Sequence, residues 1–316
     1  MFKFMILIFF CMLHLNAMEK LKIGVLAYGT VNWELKTLKD NKLDLKNGYE
    51  LEFVKLASKN AQLIALQSGS VDIIVNDWIW VNSQRYTGKN FSFYPYSRAT
   101  GTIYSNIENN YKSLLDLKDK SVGISGGFND KTWLILRAYT KKKYNIDLFD
   151  IVNPIYAGAP ILYRKILDNS LDAAVNYWHY NARLKSLGVK SIIEIKDVLK
   201  YLNIKSDLSF VGWVFKEEFA NKNKQLINSF IKSTHESKNL LLKNENAWEN
   251  IKSIMKVKSD TEFESLKDGY RKGVIFDFNE ENIIASNDMF NILVKEGGKK
   301  LVGKAKTLDP KIFWKY

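Results

Sequence analysis

The sequence predicts an α/β fold in which two lobes of similar architecture flank a cleft. One observation is a repeat: residues 70–78 read Ser-Val-Asp-Ile-Ile-Val-Asn-Asp-Trp, and residues 170–178 read Ser-Leu-Asp-Ala-Ala-Val-Asn-Tyr-Trp. A second is the alternation of short apolar runs with helix-like stretches, which is typical of parallel α/β sheets. A third is a pair of extended stretches, 91–104 and 208–215, that we expect to cross between the lobes. Similarity at a single long offset indicates two lobes, because a solenoid requires several short periods.

The first lobe is predicted from three strand-like segments and the helices between them. Apolar runs place strands at 21–26, 50–56 and 71–75, and helices at 33–39 and 58–67. Ser58 is a candidate N-cap, because its hydroxyl can accept a hydrogen bond from a free backbone N–H of the first turn. In parallel α/β sheets ligands bind beyond the carboxyl ends of the strands, so the loops that follow these strands are candidate binding segments.

The second lobe repeats this alternation and is followed by a helical region. We expect helices at 113–118, 130–139 and 159–167, and strands at 121–124, 151–156 and 173–175. After residue 217 the pattern is helical, with helices expected at 226–242, 247–255, 260–271 and 282–295. Two crossings imply a discontinuous first lobe, residues 18–98 and 211–316, with the second lobe, residues 99–210, inserted between its parts. A clamp of this kind closes by hinge motion.

The N-terminal residues 1–17 read as a secretory signal peptide. Lys3 supplies the positive charge, residues 4–15 are apolar, and Leu15-Asn16-Ala17 offers a cleavage site. The apolar run is shorter than the ~20 residues that a membrane-spanning helix needs. We therefore expect an exported protein that is released into the periplasm after cleavage.

Cys11 is the only cysteine of the chain, and it lies within this N-terminal segment. Phe9 and Phe10 stand where a lipoprotein signal needs small residues, so no lipid anchor is predicted. Cleavage then leaves a chain without a thiol, which excludes disulfides, cysteine nucleophiles and zinc–thiolate sites. The remaining histidines, His179 and His235, lack a paired metal-binding spacing, so neither a metal site nor a cofactor is predicted.

The chain carries 47 Lys and Arg against 34 Asp and Glu, a formal net charge of +13. A basic surface can indicate a nucleic-acid or membrane partner. Here the lysines are scattered among acidic residues, and the densest run, 141–143, is expected to be the solvated end of a helix. With export also predicted, we expect no nucleic-acid partner.

Four segments carry a resemblance to a known family: Leu-Lys-Ile-Gly at 21–24, Leu-Gln-Ser-Gly-Ser-Val-Asp at 66–72, Ser-Leu-Leu-Asp-Leu-Lys-Asp-Lys-Ser-Val-Gly at 113–123, and Leu-Asp-Asn-Ser-Leu-Asp-Ala at 167–173. In this order, the chain resembles the periplasmic solute-binding proteins of ABC transporters, in the nitrate, sulfonate, taurine (SsuA-like) and thiamine-precursor group. The resemblance covers nearly all of the mature chain. It implies a type II fold with two lobes, each a mixed, mainly parallel sheet flanked by helices and joined by two crossing strands. It further implies a monomeric receptor that delivers a small-molecule ligand to an ABC permease in the inner membrane.

The resemblance also implies where the ligand binds. The contacts are expected from the loop after the first strand, the loops at the ends of the two repeated strands, and the start of the first helix of the second lobe. The expected ligand-binding residues are Asn32, Trp33, Asn76, Asp77, Trp78, Gly127, Phe128, Asp130, Trp133, Asn176, Tyr177, Trp178 and His179. The repeated Trp78 and Trp178 are expected to face each other across the cleft.

Two ligand chemistries remain open at these residues. The helix N-terminus after Gly126-Gly127, with Lys131, would suit an anion such as a sulfonate or carboxylate, although Asp130 as N-cap would occupy the same N–H groups. Aromatic rings together with Glu34 or Asp77 would instead suit an amine, through cation–π contacts and charge. The resemblance favours the anionic ligand.

Two alternative functions also remain open. Residues 123–127 read Gly-Ile-Ser-Gly-Gly and fit the G-x-S-x-G pattern of a hydrolase nucleophile. A secreted serine hydrolase would use Ser125 as nucleophile, with His179 or His235 as base. The other alternative is a ligand sensor or accessory binding protein for an amine or heterocyclic ligand. Our leading interpretation is a receptor without enzymatic activity.

Overall fold

Two five-stranded sheets form the frame of the protein. The computed structural model describes residues 18–205 and 208–316, so the predicted signal peptide at 1–17 lies outside the described residues. Within the described chain, no helix combines the length and apolar character needed to cross a bilayer. We call each sheet with its flanking helices a lobe.

The first sheet has the strand order β2-β1-β3-β10-β4. Its strands are β1 (Glu19–Leu26), β2 (Tyr49–Leu56), β3 (Ile73–Asp77), β4 (Phe91–Ser97) and β10 (Val211–Lys216). Strand β1 is parallel to β2 and β3, whereas β10 runs antiparallel to β3 and β4. The alternate apolar residues Leu21, Ile23 and Val25 are buried on one face of β1, as the period of two along a strand requires.

The second sheet repeats this arrangement, with the order β7-β6-β8-β5-β9. Its strands are β5 (Ile103–Ser105), β6 (Ser121–Ile124), β7 (Asn153–Tyr156), β8 (Ala173–Val175) and β9 (Ser191–Ile193). Strand β6 is parallel to β7 and β8, and β5 is antiparallel to β8 and β9. The repeated segments therefore supply β3 and β8, the central strand of each sheet, and the predicted two-lobed type II fold is confirmed.

Helices cover both sheets. Those before the second crossing are α1 (Val31–Asp40), α2 (Leu43–Lys46), α3 (Lys59–Ser68), α4 (Trp78–Arg85), α5 (Lys131–Tyr144), α6 (Leu148–Ile151), α7 (Ala159–Leu167), α8 (Trp178–Ser186) and α9 (Ile195–Tyr201). Those after it are α10 (Glu217–Lys222), α11 (Lys224–Lys243), α12 (Glu245–Met255), α13 (Asp260–Gly273) and α14 (Glu280–Val302). Short 3₁₀ turns occupy Leu114–Leu117 and Pro310–Ile312.

One feature of these helices agrees with the prediction, and two differ from it. Ser58 caps α3 as expected, accepting a hydrogen bond from the Ala61 N–H at 3.2 Å. Helices α4 and α8 were missing from the prediction, although each begins directly at the tryptophan of a repeat. The last helix, α14, is longer than expected and packs against both α4 and α5. It thereby connects the first lobe to the second.

The hydrophobic core extends through both lobes. One cluster of buried side chains includes Ile74 of the first sheet, Val122 of the second, and Met289 and Phe290 of α14. A second cluster covers the opposite face of the first sheet, around Ile23 and Trp213. Because α14 and the two crossing segments share the first cluster, the lobes meet along a packed apolar seam at one side of the cleft.

Candidate functional site

An ion pair joins the two lobes where the central strands end. Lys131, the first residue of α5 in the second lobe, donates from Nζ to Asp77 Oδ2 at 2.8 Å. Asp77 is the last residue of β3 in the first lobe. Burial alone would raise the pKa of Asp77, but the Lys131 ammonium and its hydrogen bond hold that pKa below its ordinary value. The pKa of Lys131 is raised in turn, because Asp77 and Asp130 outweigh its burial.

Each acidic residue near this pair also caps a helix. Asp77 Oδ1 accepts from the Trp80 N–H at 2.9 Å and begins α4, leaving Oδ2 for Lys131. Asp130 Oδ1 accepts from the Trp133 N–H at 3.0 Å and begins α5. The Gly-Gly turn before Asp130 has a steric reason, because a Cβ on Gly126 would lie 2.2 Å from Asp130 Oδ2. Asp130 therefore occupies the helix N-terminus that the sequence offered to an anion.

A second ammonium enters the cleft from the first lobe. Lys59 is the first residue of α3, and its Nζ lies 5.9 Å from the ring centroid of Tyr177 in the second lobe. The Lys59 side chain is exposed to solvent at its surface but is surrounded by many protein atoms. This partial burial lowers the pKa of Lys59, and repulsion from the Lys131 ammonium lowers it further. Lys59 makes no hydrogen bond or ion pair with any residue in 18–205 or 208–316. A cation without a partner in a cleft is a site for an anion.

A row of aromatic side chains in the second lobe begins at Tyr177, next to Lys59. The ring centroids of Tyr177 and His179 are 6.2 Å apart, and those of His179 and Tyr180 are 4.5 Å apart. Tyr28, 67% exposed, projects from the loop after β1 in the first lobe. Between that loop and the first turn of α8 lies a cavity of about 580 Å³.

Trp33 and Trp178 form a contact between the lobes. Their ring centroids are 6.0 Å apart in an edge-to-face arrangement. Trp33 is 4% exposed and also packs on Trp248 and Tyr270. The two rings therefore close one side of the cleft by touching each other, and most of their surface is covered by protein.

The predicted ligand role of Trp78 and Trp133 is wrong. Both side chains have 0% exposure, and Trp78 stacks on Phe210 of the crossing segment, with centroids 6.2 Å apart and planes at 15°. Each begins or enters a helix that follows a strand end, and helical side chains point back toward the helix N-terminus and the core. The two repeated tryptophans therefore do not face each other across the cleft.

The amide side chains of Asn32 and Asn176 are used within the protein. Asn32 Nδ2 donates to the carbonyl oxygens of Leu26 and Gly29, at 3.1 and 3.3 Å, and so closes the loop after β1. Asn176 is 2% exposed; it donates to the Ala159 carbonyl oxygen at 3.0 Å and accepts from the Tyr177 N–H at 2.8 Å. The predicted ligand contact of Asn176 is corrected, since its amide is buried and holds a turn at a strand end. Asn32 holds the loop after β1 and also lines the cavity described above, so its ligand contact stays a prediction.

The other predicted residues differ in whether they face the cleft. Phe128 is 40% exposed but turns toward its own lobe, where its ring meets Phe149 edge to face with centroids 5.9 Å apart. Asn76 is partly exposed, and its side chain makes no hydrogen bond to a described residue. Asp77, Gly127, Asp130, Tyr177 and His179 lie in the loops and helix starts that surround the cleft.

Three cleft residues were missing from the prediction: Tyr28, Lys59 and Tyr180. Lys59 had a topological signal, because it follows β2, whose carboxyl end lies at the same edge of the sheet as those of β1 and β3. Tyr180 follows His179 in the first turn of α8, a helix that the sequence analysis did not predict.

The catalytic pair of a serine hydrolase is not found among the described residues. The Ser125 hydroxyl is buried and hydrogen bonds to no histidine. His235 lies in the first lobe, 3.0 Å from the Tyr94 hydroxyl, and burial lowers the pKa of His179 to about 3. A serine nucleophile needs a base within hydrogen-bond reach.

Among the described residues, no group of three or more His, Cys, Asp or Glu side chains could hold a metal ion.

Glu34, considered above as a partner for an amine, is fully buried beside Trp33. Its Oε2 accepts from the Tyr270 hydroxyl at 2.9 Å, and Oε1 has no partner. Lys238 faces it from α11 and donates to the Ile275 carbonyl oxygen at 3.1 Å, while Tyr96 lies beside the Lys238 ammonium. Burial raises the pKa of Glu34 to about 7, against the opposing effects of Lys238 and Tyr270. Glu34 is therefore not available to a ligand in the cleft.

This burial predicts a pH-dependent stability. Glu34 has a pKa of about 7 in the folded chain and an ordinary value of 4.5. Its protonated form therefore stabilises the fold. This contribution is complete below pH 4.5 and is lost as the pH rises through 7. The loss is on the order of 3 kcal/mol. We expect the unfolding free energy of wild type, relative to Glu34→Gln, to fall by that order between pH 5 and pH 8, as measured by urea denaturation. A difference that stays constant with pH would contradict the assignment.

Solved structures similar to this chain share its fold. The periplasmic aliphatic sulphonate binding protein SsuA from Escherichia coli is 18% identical with a TM-score of 0.74, over 94% of this chain and 92% of that one. The alkanesulfonate-binding protein SsuA from Xanthomonas axonopodis pv. citri, bound to MOPS, is 16% identical with a TM-score of 0.70, over 94% and 98% of the two chains. The desulfurization enzyme DszB is 9% identical with a TM-score of 0.61, over 88% and 92%. The fold is thus found in binding proteins and in an enzyme.

No family model matches the sequence, and no curated protein matches it either. At identities below 20%, the structural likeness establishes the two-lobed fold, and the function has to be argued from the cleft.

Proposed function

We propose that this protein is an extracytoplasmic receptor that captures a small organic anion between its lobes and delivers it to an ABC permease in the inner membrane. The observation that carries the proposal is Lys59, an ammonium without a hydrogen-bonded or ionic partner among the described residues, placed against Tyr177 of the opposite lobe. Sulfonates and carboxylates are the ligands for such a cation. The sulfonate-binding proteins of the same fold support this direction.

Two contacts between the lobes explain how the cleft closes. The Asp77–Lys131 ion pair and the Trp33–Trp178 contact each take one partner from either lobe, so both form only when the lobes are together. An anion at Lys59 adds a contact with the second lobe and offsets the repulsion between the Lys59 and Lys131 ammonium groups. Because the ligand then binds the closed form better than the open one, it shifts the population toward closure.

The cellular setting completes the proposal. After removal of residues 1–17, the mature chain acts as a monomer in the periplasm without a cofactor. The hinge lies at the predicted lobe boundaries, residues 98–99 and 210–211. The closed form docks on the permease, and an ATPase supplies the work of transport.

An anionic solute is favoured over an amine by the state of the acidic groups. Asp77 is already paired with Lys131, Glu34 is buried, and Asp130 caps α5. Binding without turnover is favoured over ester hydrolysis, because Ser125 lacks a histidine base among the described residues. A fluorophosphonate that labelled Ser125 would overturn this part of the proposal.

The test is the affinity of the mature chain, residues 18–316, for anions. We expect calorimetry to detect saturable binding of an organic sulfonate or carboxylate, and Lys59→Met to weaken it at least tenfold, about 1.4 kcal/mol. Lys224→Met is the matched control, because Lys224 is also an exposed first residue of a helix but lies outside the cleft. Equal affinity in both variants would remove Lys59 from the site, and binding of amines alone would overturn the anionic class.

A further inference from the structure

The cleft is larger than an anionic group requires. The cavity of about 580 Å³ beside the loop after β1 lies within the range of ~300–1,000 Å³ that is typical of sites for organic ligands. Tyr177 lies between Lys59 and His179, which lines the cavity, because the Tyr177 ring is 5.9 Å from the Lys59 ammonium and 6.2 Å from the His179 ring. A ligand held at Lys59 can therefore extend along Tyr177 into this cavity.

Aromatic and apolar side chains form one part of the cavity wall. Tyr28 and Phe53 line it from the first lobe, His179 and Tyr180 from the second, and Ile254 from α12. Tyr28 and Phe53 are 67% and 40% exposed, so both rings are open to a ligand. We call these five residues the aromatic pocket.

The charged groups around the aromatic pocket are mostly neutralised by neighbours. Lys36 binds Asp40 at 2.8 Å, and Lys39 binds Asp44 at 2.7 Å. Arg183 is paired with Glu262 and donates to the Met255 carbonyl oxygen at 2.7 Å. Lys55 and Lys256 also line the cavity, with exposed side chains. The pocket thus offers ring faces in its interior and unpaired charge at its solvent side.

His179 gives the aromatic pocket a neutral polar group. Crowding by protein, with Arg183 nearby, lowers the pKa of His179 to about 3, so its imidazole is uncharged at neutral pH. Its ring makes no hydrogen bond to a described residue, and it lies 4.5 Å from the Tyr180 ring. A flat ligand can stack on these rings and hydrogen bond to the imidazole or to the tyrosine hydroxyls.

We propose that the solute is an aromatic or heteroaromatic anion, whose carboxylate or sulfonate binds at Lys59 and whose ring binds in the aromatic pocket between Tyr28 and the His179–Tyr180 pair. This inference rests on the proposed receptor function and specifies its ligand. Stacked or edge-on aromatic contacts strengthen binding beyond the effect of the area that they bury. An alkyl anion of similar charge would leave these contacts unmade.

The test compares ligands that share the anionic group. Calorimetry on residues 18–316 measures benzenesulfonate against ethanesulfonate, and benzoate against cyclohexanecarboxylate, which is apolar and of similar size but not aromatic. We expect each aromatic ligand to bind at least tenfold more tightly than its counterpart. Equal affinities within both pairs would overturn the aromatic pocket while leaving the receptor proposal intact. If no ligand of either pair bound, both proposals would fail.

Substitutions test which residues produce the preference for aromatic ligands. Tyr28→Leu removes an exposed ring that makes no hydrogen bond to a described residue, and we expect it to reduce the preference for the aromatic ligand at least threefold. Lys59→Met should weaken all four ligands by similar factors. Tyr201→Leu is the control, since Tyr201 is 40% exposed at the end of α9 and does not line the cavity. An unchanged preference in Tyr28→Leu would overturn the placement of the ring.

Discussion

Alanine in place of Gly101 is expected to lower the unfolding free energy by about 3 kcal/mol or more. A Cβ at this position would lie 1.8 Å from the carbonyl oxygen of Asn176 and 2.9 Å from its carbonyl carbon. Overpacking commonly costs about 1–3 kcal/mol, and here the obstacle is backbone that cannot rotate away. Asn176 is fixed by its bonds to Ala159 and Tyr177, and the Thr102 N–H donates to Asn181 Oδ1 at 3.2 Å.

The measurement is the midpoint of urea denaturation, with Gly158→Ala as the matched control. Gly158, the N-cap of α7, has φ −62°, and the nearest atom to its added Cβ is 3.9 Å away. Alanine there meets no steric obstacle, and the weaker helix cap should cost no more than about 1 kcal/mol. Gly101 lies between β4 of the first sheet and β5 of the second, in the segment that crosses the lobes. A Gly101→Ala protein as stable as the control would mean that this crossing does not approach Asn176 closely.

Alanine in place of Trp78 is expected to lower the unfolding free energy by about 3–5 kcal/mol, the usual range for a buried tryptophan. The ring has 0% exposure and lies between Phe210 and Phe290, whose centroids are 6.2 and 6.4 Å away. Phe210 belongs to the second crossing and Phe290 to α14, so a cavity here would loosen the packing that connects the lobes.

Trp78→Phe separates packing from ligand contact. Phenylalanine keeps a ring in the same place and should recover more than half of the stability lost in Trp78→Ala, measured in the same urea titration. If Trp78→Ala instead kept nearly wild-type stability and lost ligand affinity, Trp78 would belong to the cleft after all.

The repeated Asn-x-Trp segments predicted the fold better than they predicted the site. They identified β3 and β8, which hold equivalent central positions in the two sheets. Their side chains were misassigned because a polar residue at a strand end has two uses. Asn176 satisfies backbone groups, whereas Asn76 keeps its amide free of described partners, and the sequence gives both residues the same context. The difference depends on Ala159, whose carbonyl oxygen accepts from the Asn176 amide and which lies 17 positions away in sequence.

Lys59 is a site residue that the sequence alone could not identify. In a chain with 47 Lys and Arg, a single lysine carries no sequence signal, and its neighbours Ser58 and Asn60 are ordinary residues for a helix start. Its position becomes informative only when the strand order places the end of β2 beside those of β1 and β3. Asp130, by contrast, was identified from sequence as a helix cap, because a carboxylate before a helix has a recognisable capping pattern. Asp77 was expected as a ligand-binding acid, because the helix that it caps was not predicted.

The Asp77–Lys131 pair also has a consequence for how this protein can diverge. Its two charges lie in separate lobes, 54 positions apart in the chain, yet each would be costly in the crowded cleft without the other. A substitution that removes one charge therefore exposes its remaining partner to selection, and neutral drift at either position is restricted. A change at one position is therefore expected to be tolerated best when the other lobe carries a compensating change.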